Sequence, residues 1–484
     1  MTRFSLLSIA VLAFASCTQQ RPTPLQADWT GSLKLDSAYH NPLLDFLYTA
    51  DPTAVEYQGR LYVYGTNDQQ QCDEVHPDSA NTYEHINTLA MMSTVDMVNW
   101  TYHGLIPTRE LAPWIIASWA PSVCSRVEDD GLTHFYLYFS NSGYGTGVLT
   151  ATSPVGPWSS PLDSSIVDAK TPGLGDCTVP FDPGVVIDEE GRGWLAFGAA
   201  HARIARLGAD MLSFDSPFVT IPAQHHFEAN ELNVIGHRLV YTYNLDWQPK
   251  DDWQPSLPAS QLPSICSMAY MLPEGDPLES DSWRYQHHYM RNPGEDGFEY
   301  SNNHTHLHKY QGKWYVFGHT MDLKRHNGIR GGYRNIVVER IDVDEQRPSI
   351  AMSHYTREGV EQITPLNPMA QQEAETTAGT QGVRFQPTAE AGNMLAATDS
   401  VGIILVRGAH FSRPVTSLTL TAQGEGQIDV RLNNPQGQLI ASVPIHSDTM
   451  QPIRSEVLAS PDGIDDLVFI FTGPTLRFDS WQMQ

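Results

Sequence analysis

Basic residues are scarce in this chain: 29 Lys and Arg stand against 55 Asp and Glu, for a net charge of −26. Such a field repels phosphate backbones and anionic membranes, which argues against nucleic acid as a partner. A neutral polymer is compatible with it. Sustained helical periodicity is also missing, so an all-α or doubly wound fold is disfavoured. Cysteines number five, none of them in a CxxC pair, and this disfavours a zinc ribbon. Cys72, Cys124, Cys177 and Cys266 read equally well as export-competent disulfide partners and as buried free thiols.

The apolar run from Phe4 to Ala15 is too short to span a bilayer. Behind Met-Thr-Arg and ahead of Ala15-Ser16-Cys17, it reads as a secretion signal. The small pair before Cys17 resembles a bacterial lipobox. That implies cleavage after residue 16, a lipid on Cys17 and membrane contact only through that anchor, in an exported, periplasmic or surface lipoprotein. Residues 1–17 are thus read as signal and 18–36 as a polar tether.

What the chain does have is a recurring phrase: a polar residue, a short strand, a Gly turn and an aromatic-rich strand. The copies are DPTAVEYQGRLYVYGT from Asp51, WAPSVCSRVEDDGLTHFYLYFS from Trp119 and FDPGVVIDEEGRGWLAFG from Phe181. FEANELNVIGHRLVYTY from Phe227 and NNHTHLHKYQGKWYVFGH from Asn302 complete the set. Asp51 to Gly59, Glu228 to Gly236 and His304 to Gly312 each span eight residues; Asp182 to Gly191 spans nine. A hairpin recurring at loose spacing predicts a five-bladed β-propeller over 37–350. If each leading residue opens an innermost strand, Asp51, Asp182 and Glu228 converge in one funnel. From residue 351 the texture changes, and 351–371 reads as a linker. Alternating short strands over 372–484 predict a separate β-sandwich of jelly-roll type, so the whole is all-β.

These phrases resemble glycoside hydrolase family 43. Tyr48-Thr49-Ala50-Asp51-Pro52 matches the strand whose Asp is the general base. Trp119-Ala120-Pro121 matches the Trp-Ala-Pro blade, and Phe181-Asp182-Pro183 matches the Asp that orients the acid and tunes its pKa. Phe227-Glu228-Ala229 matches the general-acid phrase. Asn302-Asn303-His304 matches a blade whose channel histidine lies near a bound cation or water cluster. Arg334, in YRNIVVERIDVD, matches an arginine that contacts the sugar. The resemblance implies an exported inverting glycosidase acting on plant pentose glycans, an α-L-arabinofuranosidase or a β-xylosidase on xylan or arabinoxylan. Its chemistry needs no cofactor.

The C-terminal part is similar to carbohydrate-binding module family 6. That likeness implies a structural calcium on Glu373, Glu375 and Asp479, an oxygen-only set that suits the ion. The Trp that usually precedes the late strands is absent from SDTMQPIRSEV, which implies weak glycan binding or a purely structural role.

Inverting hydrolysis needs a carboxylate to activate water and a carboxylic acid across the ring, about 6.5–9.5 Å away. Asp51 is the expected base and Glu228 the expected acid. Asp182 is expected to raise the acid's pKa by like-charge repulsion, and Trp119 to wall the sugar site. Plainer readings stand beside these. Asp51 and Asp182 both precede Pro, a common turn opener, and Glu231 rivals Glu228 from the other strand face. His304, His306 and His308 share one face and can mimic a metal triplet. The rim pair Asp246 and Trp247 is a further expected contact. A non-catalytic glycan-binding propeller would not need the three acids, and a retaining fructosidase-type enzyme would use its first Asp as nucleophile.

Overall fold

The computed structural model describes residues 33–35, 37–250, 262–398 and 400–484. The signal, the lipidation site and most of the tether lie outside them. Where the tether ends the chain is already packed: Lys34 is buried, and its ammonium donates to the Leu43 carbonyl at 3.2 Å.

Five antiparallel sheets follow in chain order. Blade one uses Ala50–Tyr57, Arg60–Thr66, Leu89–Thr94 and Trp100–Ile106. Blade two uses Trp119–Val127, Thr133–Ser140, Gly145–Ala151 and Val167–Asp168. Blade three uses Gly184–Ile187, Gly193–Phe197, Arg203–Arg206 and Val219–Thr220. Blade four uses His226–Ile235, Arg238–Leu245, Met268–Pro273 and Trp283–Met290. Blade five has three strands, His306–Tyr310, Lys313–Thr320 and Asn335–Arg340.

The blades hold together through apolar seams between neighbours. Tyr64, Leu89 and Met91 of blade one pack on Val123, Phe135 and Leu137 of blade two. Leu61 and Val63 of blade one meet Phe317 and Val338 of blade five, which closes the ring. Alternation along each strand explains this. Residues of one parity face one neighbouring blade, those of the other parity face the opposite one, and both faces are apolar.

Inner hairpins turn through two residues with positive φ: Gln58-Gly59 (51° and 77°), Gly236-His237 (51° and 68°) and Gln311-Gly312 (47° and 76°). This turn needs the left-handed region at both positions, so glycine fits either one. The glycine is therefore no register marker. It takes the second position in blades one and five and the first in blade four. The shared interval of eight thus hides a one-residue offset, and Ala229 rather than Glu228 is the equivalent of Asp51.

The stretch 351–371, expected to link two domains, packs largely against the propeller. The Asn41 amide donates to the Arg357 carbonyl at 3.2 Å, and the Thr356 amide donates to buried Glu339 at 2.7 Å. Tyr355 is buried in the seam between blades four and five. The free edge of the three-stranded last blade is met by Leu43, whose amide donates to the Ile336 carbonyl at 2.9 Å, and by Asn41, which bonds Val338, while the strap lies beside them against blades four and five.

The remaining strands form one curled, sandwich-like sheet. Its order runs Gly379–Gln381, Val401–Phe411, Gly463–Thr472, Ser417–Leu432, Arg477–Met483, Met394–Ala397 and Arg384–Pro387. Leu439–Glu456 joins the long strand Ser417–Leu432, and Gln372–Glu373 joins Arg477–Met483. Leu420, Ile428, Phe469, Phe478 and Trp481 fill its core. The two units are joined by backbone, since Thr376–Thr377 pairs with Trp100 and Thr101 as a fifth strand of blade one. Arg407 adds bonds to the Lys34 and Ser37 carbonyls and to Asp466.

Candidate active site

At one end of the propeller the inner strands open with the same local distortion. Asp51, Ala120, Asp182 and Ala229 all adopt φ between 43° and 58°, a region that non-glycine residues rarely occupy. Pairing registers slip by one residue at this point in blades one, two and four. These are β-bulges, which re-aim side chains at the rim of a sheet, and left-handed strain of this kind concentrates at functional sites. The bulge is what lets Glu228 look into the funnel although it sits one residue ahead of Asp51's equivalent.

Asp51 is buried, and its two carboxyl oxygens have different partners. Oδ1 accepts from Arg334 Nη1 at 2.8 Å, with His319 at 3.5 Å and His304 at 3.7 Å; Oδ2 accepts from the Thr66 hydroxyl at 2.7 Å. Burial alone would push this carboxyl upward. The Arg334 guanidinium, helped by the two imidazoles and Thr66, outweighs burial and holds it below the usual carboxylate value.

Arg334 is itself 3% exposed and is held by a second, fully buried carboxylate. Asp68 accepts from its backbone amide, Nε and Nη2, at 3.0, 2.9 and 2.9 Å. The guanidinium lies 5.0 Å from the centroid of the Tyr83 ring. Arg334, expected as a sugar contact, clamps Asp51. Trp119 packs edge-on against Tyr83 at 6.0 Å and donates from Nε1 to the Tyr83 carbonyl at 3.0 Å. Its half-buried ring thus adjoins Tyr83, whose own ring faces the Arg334 guanidinium.

Glu228 keeps part of its surface open, and Asn302 Nδ2 donates to its Oε1 at 3.3 Å. Burial pushes its carboxyl up to about 7, and among the neighbouring charges Asp51 adds to the rise while Arg334 opposes it. Asp182 is likewise raised to about 7, by burial first and Glu228 second, so the expected repulsion between the two acids is present beside the larger effect of burial. Asp182 also acts through the backbone: Oδ2 accepts from the Ala229 amide at 2.9 Å, and its carbonyl accepts from Asn230 Nδ2 at 2.9 Å. It therefore pins the bulge directly after Glu228.

Glu231 has its own partners, in blades two and five. Ser122 donates to one of its oxygens at 3.2 Å, and His306 bonds the other. The His308 ring stacks on His306 with centroids 5.6 Å apart, and burial pushes both imidazoles down to about 3. Only His304 of the alternating trio reaches the acids. Asp246 bonds Lys250 at 2.5 Å and His225 at 3.3 Å, with Trp247 40% exposed beside it.

In the second unit Glu375 is 1% exposed; Oε1 accepts from the Met394 amide at 3.0 Å and Oε2 has no hydrogen-bond partner. Burial, followed by smaller repulsions from Glu373 and Asp479, pushes it up to about 8. Glu373 is raised by burial and then Asp479. Among the described residues, no three or more His, Cys, Asp or Glu side chains are gathered closely enough to hold a metal ion. The four described cysteines are free and buried.

Sequence reading missed Thr66, Asp68, Tyr83, Ser140, Asn302 and His319. Thr66 and Ser140 close the second strands of blades one and two, and His319 comes one residue before the end of blade five's. All three sit beside the bulge of the next blade, a positional signal the repeat already contained.

Residues 39–243 match the sequence pattern of glycosyl hydrolases family 43. An arabinoxylan arabinofuranohydrolase of Paenibacillus polymyxa is 30% identical over 482 residues, covering 91% of this chain and 74% of the relative. One of Bacillus subtilis (strain 168) is 30% identical over 491 residues, covering 91% and 92%. The crystal structure of a family 43 arabinoxylan arabinofuranohydrolase from Bacillus subtilis with cellotetraose superposes at a TM-score of 0.84. It covers 92% of this chain and 98% of that one at 30% identity. A propeller whose funnel gathers Asp51, Asp182 and Glu228, matched along nearly its whole length to such enzymes, places the chain in glycosyl hydrolase family 43, as a glycosidase that cleaves O-glycosyl bonds with inversion.

Proposed function

We propose that this glycosidase removes α-L-arabinofuranosyl branches from arabinoxylan, with Asp51 as general base, Glu228 as general acid and Asp182 orienting the acid. One observation carries the assignment of roles: two carboxyls in one funnel are held in opposite protonation states. Asp51 is kept ionised by Arg334, while Glu228 is kept protonated to about pH 7 by burial. Water activated by Asp51 attacks the anomeric carbon as Glu228 protonates the departing glycosidic oxygen, so one displacement inverts the centre. The substrate follows from the relatives, whose match extends through both units of the chain.

The test is sugar release from wheat arabinoxylan and from aryl α-L-arabinofuranoside and aryl β-D-xyloside. Arabinose from the polymer, with little xylose from the xyloside, is the expected result. Xylose as the main product would replace this reading with a xylosidase. Proton NMR should show the β-anomer of arabinose first; the α-anomer would mean retention.

Glu373, Glu375 and Asp479, which repel one another and are not drawn together here, are proposed to close on a calcium ion that stiffens the second unit. The oxygen donors suit a hard cation, and the unpartnered Glu375 oxygen leaves one of them free. Millimolar calcium should raise Tm by several degrees in the wild type and not in Glu375→Gln. An equal rise in both would place the ion elsewhere. Export by a Cys17 lipid anchor is likewise proposed, from the leader sequence.

A further inference from the structure

The bulges at the carboxylate end are tied to one another, blade to blade. The Ala120 amide of blade two donates to Thr66 of blade one at 2.8 Å. The Asp182 amide, opening blade three, donates to Ser140 of blade two at 2.8 Å. The Ala229 amide of blade four donates to Asp182 at 2.9 Å, and Asn244 of blade four donates to the Asn303 carbonyl, leading into blade five, at 2.6 Å. The Asp51 amide of blade one donates to Nδ1 of His319 in blade five at 3.3 Å. The five contacts make a closed belt around the funnel, and its last member joins the final blade to the first.

His319 does more than close the belt. Nδ1 is an acceptor here, so Nε2 carries the proton and donates to the Asn302 carbonyl at 2.9 Å. The Asn302 side-chain amide is the group that holds Glu228. One fully buried imidazole therefore touches the backbone of Asp51 on one side and the residue that holds Glu228 on the other. We propose that His319 is a positioning residue that fixes Asp51 and Glu228 relative to each other across the closure of the ring. Neutral imidazole suits the task, since it offers one acceptor and one donor in a rigid plane. A sub-ångström drift of either carboxyl costs rate because the two must act on one bond in one step. The proposal rests on the roles of Asp51 and Glu228 given above.

Four variants test it on arabinoxylan and on a 4-nitrophenyl arabinofuranoside, whose leaving group needs little protonation. His319→Leu should lower kcat about 10- to 100-fold on both substrates with KM within about 3-fold, because it loosens base and acid together. Asn302→Ala should lose activity on arabinoxylan only. His319→Gln, which keeps an acceptor and a donor on one amide, should recover most of the loss. His319→Asn reaches the Asp51 amide but not the Asn302 carbonyl and should resemble Asn302→Ala. The Gln and Asn pair carries the test if the Leu variant does not fold.

Wild-type kcat in His319→Leu overturns the proposal. So does a loss confined to arabinoxylan in that variant, or equal impairment of His319→Gln and His319→Leu with matching falls in Tm. Asp51→Asn with full activity would instead sink the assignment of roles, and an inactive Asp51→Asn beside a normal His319→Leu would sink this inference alone.

Discussion

Asp51→Asn should abolish turnover almost completely, lowering kcat roughly 10³-fold or more on polymer and aryl substrate alike. General base catalysis is worth about 10²–10⁴-fold, and an amide cannot accept the water's proton. A good leaving group gives no relief, because the missing function is on the nucleophile's side. KM should move little, since the carboxyl's partners are Arg334, Thr66 and the two imidazoles, all of them protein groups. The substitution also leaves Arg334 with one carboxylate in place of two. Removing one partner of a buried pair costs about 3–5 kcal/mol when the other is stranded, but Asp68 still binds Arg334 through three donors. The expected fall in Tm is therefore modest. A folded variant within tenfold of wild-type kcat would remove Asp51 from the chemistry.

The carboxyls themselves were legible in the sequence, and the reasons are local. Asp51 and Asp182 stand in Asp-Pro phrases at the head of hairpins; alternation along an extended strand would put Glu228 and Glu231 on opposite faces, but a register shift lies between them. Register was less legible. Glycine tolerates either position of a two-residue turn with positive φ, so counting back from it set Glu228 level with Asp51, one residue out. A bulge, an event of pairing between strands rather than of composition, restores the side chain to the funnel. Electrostatics was read in part: the mutual repulsion of the acids was readable from their convergence, but not the burial that contributes most to raising Glu228 or the guanidinium that holds Asp51 down. Arg334 shows the limit most clearly. A sequence match suggested a sugar contact, but not the bonds to Asp51 and to Asp68, the latter 266 residues away along the chain. Thr66, Ser140 and His319 went unread because each acts on the neighbouring blade, and a single repeat does not display what lies across the seam. The stretch after residue 350 has the prolines and polar residues of a linker, and composition did not show that Tyr355 and Thr356 within it would pack on blades four and five.

Glu228→Gln carries the other large effect, and its signature differs from that of Asp51. Loss of the general acid should cost about 10²–10⁴-fold in kcat on arabinoxylan, where the departing sugar oxygen must be protonated. On a 4-nitrophenyl glycoside the cost should be far smaller, because nitrophenolate leaves unaided. The pH dependence makes the stronger test. Glu228 must be protonated to act and is pushed up to about 7, while Asp51 must be ionised and is held below the usual carboxylate range. Activity in the wild type should thus rise as pH climbs through the Asp51 value and fall as it passes about 7. In Glu228→Gln there is no acid to deprotonate, so the alkaline limb should flatten on the activated substrate while the acidic limb stays. Asp182 is also raised to about 7 by burial and by Glu228, so part of the alkaline limb could in principle belong to it. Its bond to the Ala229 amide settles what to expect: ionised or not, Asp182 keeps an oxygen there, so its titration changes the neighbouring charge more than the geometry. An alkaline limb that persists unchanged in Glu228→Gln would assign that fall to Asp182 and leave Glu228 without the proton-donating role.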